Sequence, residues 1–83
     1  MKKVVIYTTS VCPYCVSAKR LLKKKGVAYE EINVGGDDEA REQLAARTGF
    51  QTVPQIFIGE QHVGGSDDLH ALETAGKLDA LLS

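Results

Sequence analysis

Eighty-three residues suffice for one domain, since each further domain usually takes ~100–200. Hydrophobic residues make up 43% of the chain, and ten basic against eleven acidic side chains leave a net charge of -1. That balance excludes a nucleic-acid binder held by a broad basic surface and a disordered acidic tail. The run Val4-Val5-Ile6 is too short for a signal-peptide core or a membrane span, so the chain reads as cytoplasmic, with no membrane partner.

Lys2 to Tyr7 is rich in β-branched residues and predicts a short strand buried on both faces. Thr8 to Val11 is a polar break. Pro13 then opens a helix, at a position where its missing N–H costs nothing. Cys15, Ala18, Leu21 and Leu22 recur at helical spacing along it. Lys19, Arg20 and Lys23-Lys24-Lys25 take the solvated face and the end, where cations suit the macrodipole, and Gly26 stops the helix.

Val27 to Val34 predicts a second strand, broken by Gly35-Gly36. Asp37 or Asp38 caps a second helix running to about Thr48, with Ala40, Leu44 and Ala45 as its apolar side. Gln55 to Ile58, led by Pro54, is a third strand; Gly59-Glu60 turns it back into Gln61 to Val63. After Gly64-Gly65, Ser66 can cap a third helix carrying Leu69, Leu72 and Ala75. Gly76 interrupts it, and Leu78, Leu81 and Leu82 form a last helical turn. The order β-α-β-α-β-β-α begins with a βαβ unit, whose strands are parallel, and ends with an antiparallel hairpin. One α/β domain over residues 1–83, with a mixed four-stranded sheet flanked by helices, accommodates it.

The two cysteines lie in one tetrapeptide, Cys12-Pro13-Tyr14-Cys15. A bridge across so small a loop restricts little of the unfolded chain, so its purpose is chemical. Cys12 falls at the predicted N-cap, where its sulfur can accept the N–H groups of Tyr14 and Cys15 and feels the positive end of the helix. Both effects favour the thiolate, the form that attacks disulfides and leaves readily. Cys15 lies one turn further in, on the apolar face, and should be more buried and less ionised. Cys12 therefore attacks and Cys15 resolves. Zinc is disfavoured: His62 and His70 lack the H-x₃₋₅-H spacing, and no metal is expected. Both histidines read as surface residues, Tyr7 and Phe57 as core, and Lys23-Lys24-Lys25 as a solvated helix end.

Three motifs carry a resemblance. Val5-Ile6-Tyr7-Thr8 followed by Cys12-Pro13-Tyr14-Cys15, then Thr52-Val53-Pro54-Gln55-Ile56-Phe57-Ile58, then Gly64-Gly65-Ser66-Asp67-Asp68-Leu69 resemble a small bacterial dithiol glutaredoxin over essentially the whole chain. The resemblance implies a thioredoxin fold and glutathione-dependent reduction of protein disulfides and glutathionyl mixed disulfides, with glutathione as a co-substrate and no permanently bound cofactor. It implies a cis peptide before Pro54 and a glutathione groove of Tyr14, Thr52, Val53, Pro54, Gly65, Ser66 and Asp67.

The groove makes chemical sense. Val53, before a proline, is biased to extended structure and could pair with a peptide as an added strand. The free N–H groups at the third helix start would receive a carboxylate, and Asp67 could accept the ammonium of the same amino-acid head. Exposed Tyr14 could cover the bound tripeptide. Implied partners are glutathione and disulfide-containing or glutathionylated proteins, such as a ribonucleotide reductase, met by a monomer. One departure stands out: the family usually carries a basic residue three positions before the first cysteine, and here that position is Thr9. Lys19 or Arg41 are the candidates to substitute for it.

Overall fold

The structure, a computed structural model, describes residues 2–83. Eight elements follow in order: β1 (Val4–Thr8), α1 (Pro13–Lys24), β2 (Tyr29–Asn33), α2 (Asp38–Thr48), β3 (Gln55–Ile58), β4 (Gln61–Gly64), α3 (Ser66–Thr74) and α4 (Leu78–Leu82). The strands form one sheet in the order β2-β1-β3-β4. β1 runs parallel to β2, with Val4 opposite Tyr29 and Thr8 opposite Asn33; β1–β3 and β3–β4 are antiparallel, and the β3–β4 register shifts between Ile56 and Phe57. This is the expected mixed sheet. The predicted β2 is trimmed at both ends, because Val27 and Val34 are buried flanks outside the ladder.

Side-chain alternation divides the sheet into two faces. Val4, Ile6, Ile56 and Ile58 are fully buried in one core with Ala18, Leu21 and Leu22 of α1, Leu69 of α3, and Leu78 and Leu82 of α4. The other face carries Tyr7 and Phe57, expected in the core but only half-buried. They meet edge to face at 5.8 Å, with the Arg47 guanidinium of α2 at 5.2 Å from the Phe57 ring centre. His62 adds a third ring to this side, 5.0 Å from Phe57.

The helix ends follow local chemistry. The Asp37 carboxylate accepts the Ala40 N–H at 3.0 Å and so starts α2. Gly49 ends it in the left-handed conformation, φ 80°, that glycine adopts at no steric cost. The expected Ser66 cap is corrected: Gly65 occupies the N-cap of α3 and Ser66 is the first residue inside it. The Ser66 hydroxyl turns to the His70 ring, 3.3 Å away, instead of back to the helix N–H groups. Asp68 serves that end, accepting the Gly65 N–H at 3.0 Å.

The solvated lysine cluster also needs correction. Lys23 and Lys24 are exposed, but Lys25 reaches Glu73 at 2.9 Å and Asp79 at 2.8 Å, tying the end of α1 to α3 and α4. These two carboxylates, Asp79 first, raise the Lys25 ammonium above its ordinary range.

Candidate active site

Five residues of β1 end at Thr8, and the chain crosses a short break to Cys12. Cys12 is the N-cap of α1, extended at φ -151°, and its sulfur accepts the Cys15 N–H at 3.2 Å. Only one of the two expected N–H groups reaches it: Cys15 donates and Tyr14 does not figure among the donors to the sulfur. The Cys12 sulfur also lies 3.8 Å from the Val53 carbonyl oxygen, close enough for the thiol to donate. Cys12 is half-buried, whereas Cys15 is 1% exposed. Burial, first, and then the hydrogen bond to Cys12 push the Cys15 thiol up to about 11. The two sulfurs thus differ in the sense expected: one accessible, one withheld from solvent and proton-bearing.

Thr52 to Pro54 lead into β3, and the Val53–Pro54 peptide is cis. Beside it lies a groove of about 270 Å³ lined by Tyr14, Thr52, Val53, Pro54, Gly65, Ser66 and Asp67. These seven are the groove residues expected from sequence, and the fold brings them together from three separate segments. Tyr14 is 65% exposed at its rim. The groove is completed by Phe50, Gln55, Gly64 and Asp68, which sequence reasoning did not assign to it. Gln55, Gly64 and Asp68 lie within the two quoted motifs, which is the signal that could have found them; nothing in the sequence pointed to Phe50.

Helix geometry leaves the first N–H groups of α3 without intrahelical partners, and the first helical bond runs from Leu69 N–H to Gly65 C=O at 3.1 Å. Ser66 and Asp67 therefore bring free donors to one end of the groove, with the exposed Asp67 carboxylate beside them. Among the described residues no lysine or arginine lines it. Neither candidate substitute for the missing basic residue does so: the Lys19 ammonium pairs with Glu31 at 3.1 Å, and an Arg41 nitrogen lies 3.4 Å from the Gln51 carbonyl oxygen.

The histidines are not plain surface residues. Both are half-buried and bonded: His62 to Gln55 at 3.1 Å, and His70 to the Ser66 carbonyl at 2.8 Å and the Ser17 hydroxyl at 3.5 Å. Among the described residues no three His, Cys, Asp or Glu side chains come together as a metal-holding group.

A dithiol at a helix start, one sulfur open and one buried, on a mixed four-stranded sheet, is the site of a thioredoxin-fold thiol–disulfide oxidoreductase. Comparison with known proteins narrows the class. The family model for glutaredoxin matches residues 4–63. A glutaredoxin of Pseudomonas aeruginosa is 65% identical over 83 residues, covering 100% of this chain and 99% of its own. Glutaredoxin 3 of Escherichia coli is 52% identical over 82 residues, covering 99% of each. Among solved structures, a buckwheat glutaredoxin–glutathione complex matches with a TM-score of 0.92 at 32% identity, over 98% of this chain and 76% of that one. A Brucella melitensis glutaredoxin matches with a TM-score of 0.88 at 54% identity, over 99% of this chain and 89% of that one. The chain belongs to the glutaredoxin family. It is an oxidoreductase of thiols and disulfides that uses glutathione as its co-substrate.

Proposed function

We propose that Cys12 is the attacking thiol, Cys15 the resolving thiol, and the groove beside Pro54 the seat of glutathione. The observation that supports this reading best is the asymmetry of the pair: the Cys12 sulfur stands at the helix N-cap next to Val53, while Cys15 is buried with its thiol held protonated. A Cys12 thiolate attacks one sulfur of a client disulfide, and the other sulfur leaves as a thiolate and takes up a proton. Cys15 then gives up its proton and attacks the Cys12 sulfur, closing the 12–15 bridge and releasing the client as a dithiol. One glutathione opens the bridge to a Cys12–glutathione mixed disulfide. A second removes that glutathionyl group as oxidised glutathione. A glutathionylated client gives up its glutathione to Cys12 directly and needs no Cys15.

In the groove the γ-glutamyl carboxylate meets the N–H groups of Ser66 and Asp67, and its ammonium meets the Asp67 carboxylate. The backbone of Val53 pairs with the tripeptide as an added strand, and Thr52, Pro54 and Gly65 form the walls. Tyr14 covers it. With threonine at position 9 and no cation in the lining, no side-chain charge answers the glycyl carboxylate. Clients are proteins carrying disulfides or glutathionyl groups, a ribonucleotide reductase among the classes served. The protein works as a monomer in the cytoplasm, where thiols are kept reduced. No helix among the described residues is long and apolar enough to cross a membrane.

The test is a pair of variants. Cys12→Ser should lose every reductase activity. Cys15→Ser should keep the release of glutathione from glutathionylated protein and lose the reduction of protein disulfides. The opposite pattern would reverse the roles.

A further inference from the structure

Among the described residues Gln55 is the one large polar side chain placed wholly inside the fold at the groove, 2% exposed. It sits on the same sheet face as Phe57 and beneath the loop that carries Thr52 and Val53. Its amide nitrogen donates to the Phe50 carbonyl and to the Thr52 carbonyl, each at 2.9 Å. Its amide oxygen lies 3.1 Å from His62 Nε2. These bonds settle each other's orientation. Two carbonyl oxygens only accept, so the amide nitrogen must face them; the amide oxygen then faces His62, and Nε2 must carry the proton it donates. The His62 ring is held between two aromatic rings, 5.2 Å from Phe50 and 5.0 Å from Phe57. The buried amide is thereby satisfied at both ends, and a loop without regular backbone pairing is clamped at residues 50 and 52.

We propose that His62 and Gln55 are positioning residues for the groove: the His62 N–H locks the Gln55 amide, which holds residues 50–52 so that Val53 presents its backbone to a bound peptide. Neither acts on the sulfurs. The pair contributes to recognition of the tripeptide rather than to thiol reactivity. The inference rests on the reading of the groove as the glutathione seat.

Two substitutions at position 62 separate the donor from the ring. His62→Gln keeps an N–H where Nε2 stood and loses the ring. His62→Phe keeps a ring between Phe50 and Phe57 and loses the donor. Each is made in a Cys15→Ser background, so that Cys12 forms a single mixed disulfide. Its equilibrium is measured against reduced and oxidised glutathione, and separately against cysteamine and cystamine, which share the thiol chemistry and lack the peptide. The ratio of the two equilibrium constants reads the groove alone.

The parent protein should favour glutathione clearly. His62→Phe should lower the ratio roughly three- to tenfold, as losing one hydrogen bond in a buried network does. His62→Gln should retain it, and the cysteamine equilibrium should stay the same in all three. A His62→Phe variant with the parent ratio, or a His62→Gln variant that loses as much as His62→Phe, would overturn the positioning role. A parent ratio near one would overturn the groove reading itself, and this inference with it.

Discussion

Raising the pH from 6 to 8 should change how the protein handles a protein disulfide, because the resolving thiol sits at about 11. Burial is the largest cause. The hydrogen bond and the charge shared with Cys12 raise it further, while the Thr9 backbone and the Lys19 charge pull it down. At that value about one Cys15 in ten thousand is ionised at pH 7, and each pH unit gains roughly a factor of ten. Once a client sulfur is bonded to Cys12, the Cys12 charge is gone and burial is the main cause left. The apparent value in the mixed disulfide then lies between the ~8.5 of a free thiol and the value in the reduced protein. Bridge closure should therefore accelerate close to tenfold per unit from pH 6 to about 8.

The assay mixes reduced protein with excess disulfide client, quenches with acid at timed intervals, and weighs the products by mass spectrometry. Cys15→Ser, which stops at the mixed disulfide, gives the attack step alone at each pH. The mixed disulfide should accumulate in the unsubstituted protein at pH 6 and be nearly absent at pH 8. A visible mixed disulfide whose closure rate did not change with pH would refute the reasoning, since Cys15 would then not be a suppressed thiol.

Asp67→Ala should weaken the use of glutathione by a few-fold, seen in the glutathione dependence of turnover. Asp67 is exposed, so the lost contact is worth only about 0.5–1 kcal/mol, and the difference should shrink as salt is raised. Gly64→Ala should destabilise the fold by roughly 1–3 kcal/mol in a denaturant titration. Gly64 has φ +118°, and an added Cβ would run into the Asp68 carboxylate that caps α3. The same variant should also lose glutathione affinity, because Gly64 and Asp68 both line the groove.

The parts of this fold legible in the sequence are those written in local chemistry. Pro13 at a helix start, Asp37 before an acidic turn and Gly59-Glu60 between two strands each declare an element, and each stands within a residue or two of its expected place. The cysteine asymmetry was legible too, because burial one turn into an amphipathic helix follows from helical spacing. What escaped depended on partners far along the chain. Lys25 looks like one more solvated cation until α4 brings Asp79 to it, 54 positions away in sequence and 2.8 Å in space. His62 and Gln55 are seven apart and unremarkable in a strand–turn–strand pattern; only the register of β3 and β4 puts them together. Ser66 was placed at the cap by its residue type, yet Gly65 takes the extended conformation and the hydroxyl finds His70.

The two outer strands of the sheet, β2 and β4, carry a consequence for the company such a protein keeps. A reductant of disulfides meets chains that are partly unfolded, and an open strand edge is a template on which such chains aggregate. β2 presents Glu30 and Glu31 in sequence, one paired with Lys3 at 3.3 Å and the other holding Thr8 and Lys19. An incoming strand would have to crowd or displace these charges. β4 is four residues long, is kinked where its register slips against β3, and ends at Gly64. The sheet is thus guarded by charge on one flank and by brevity on the other, so a client can be held by its sulfur without being offered a place in the sheet.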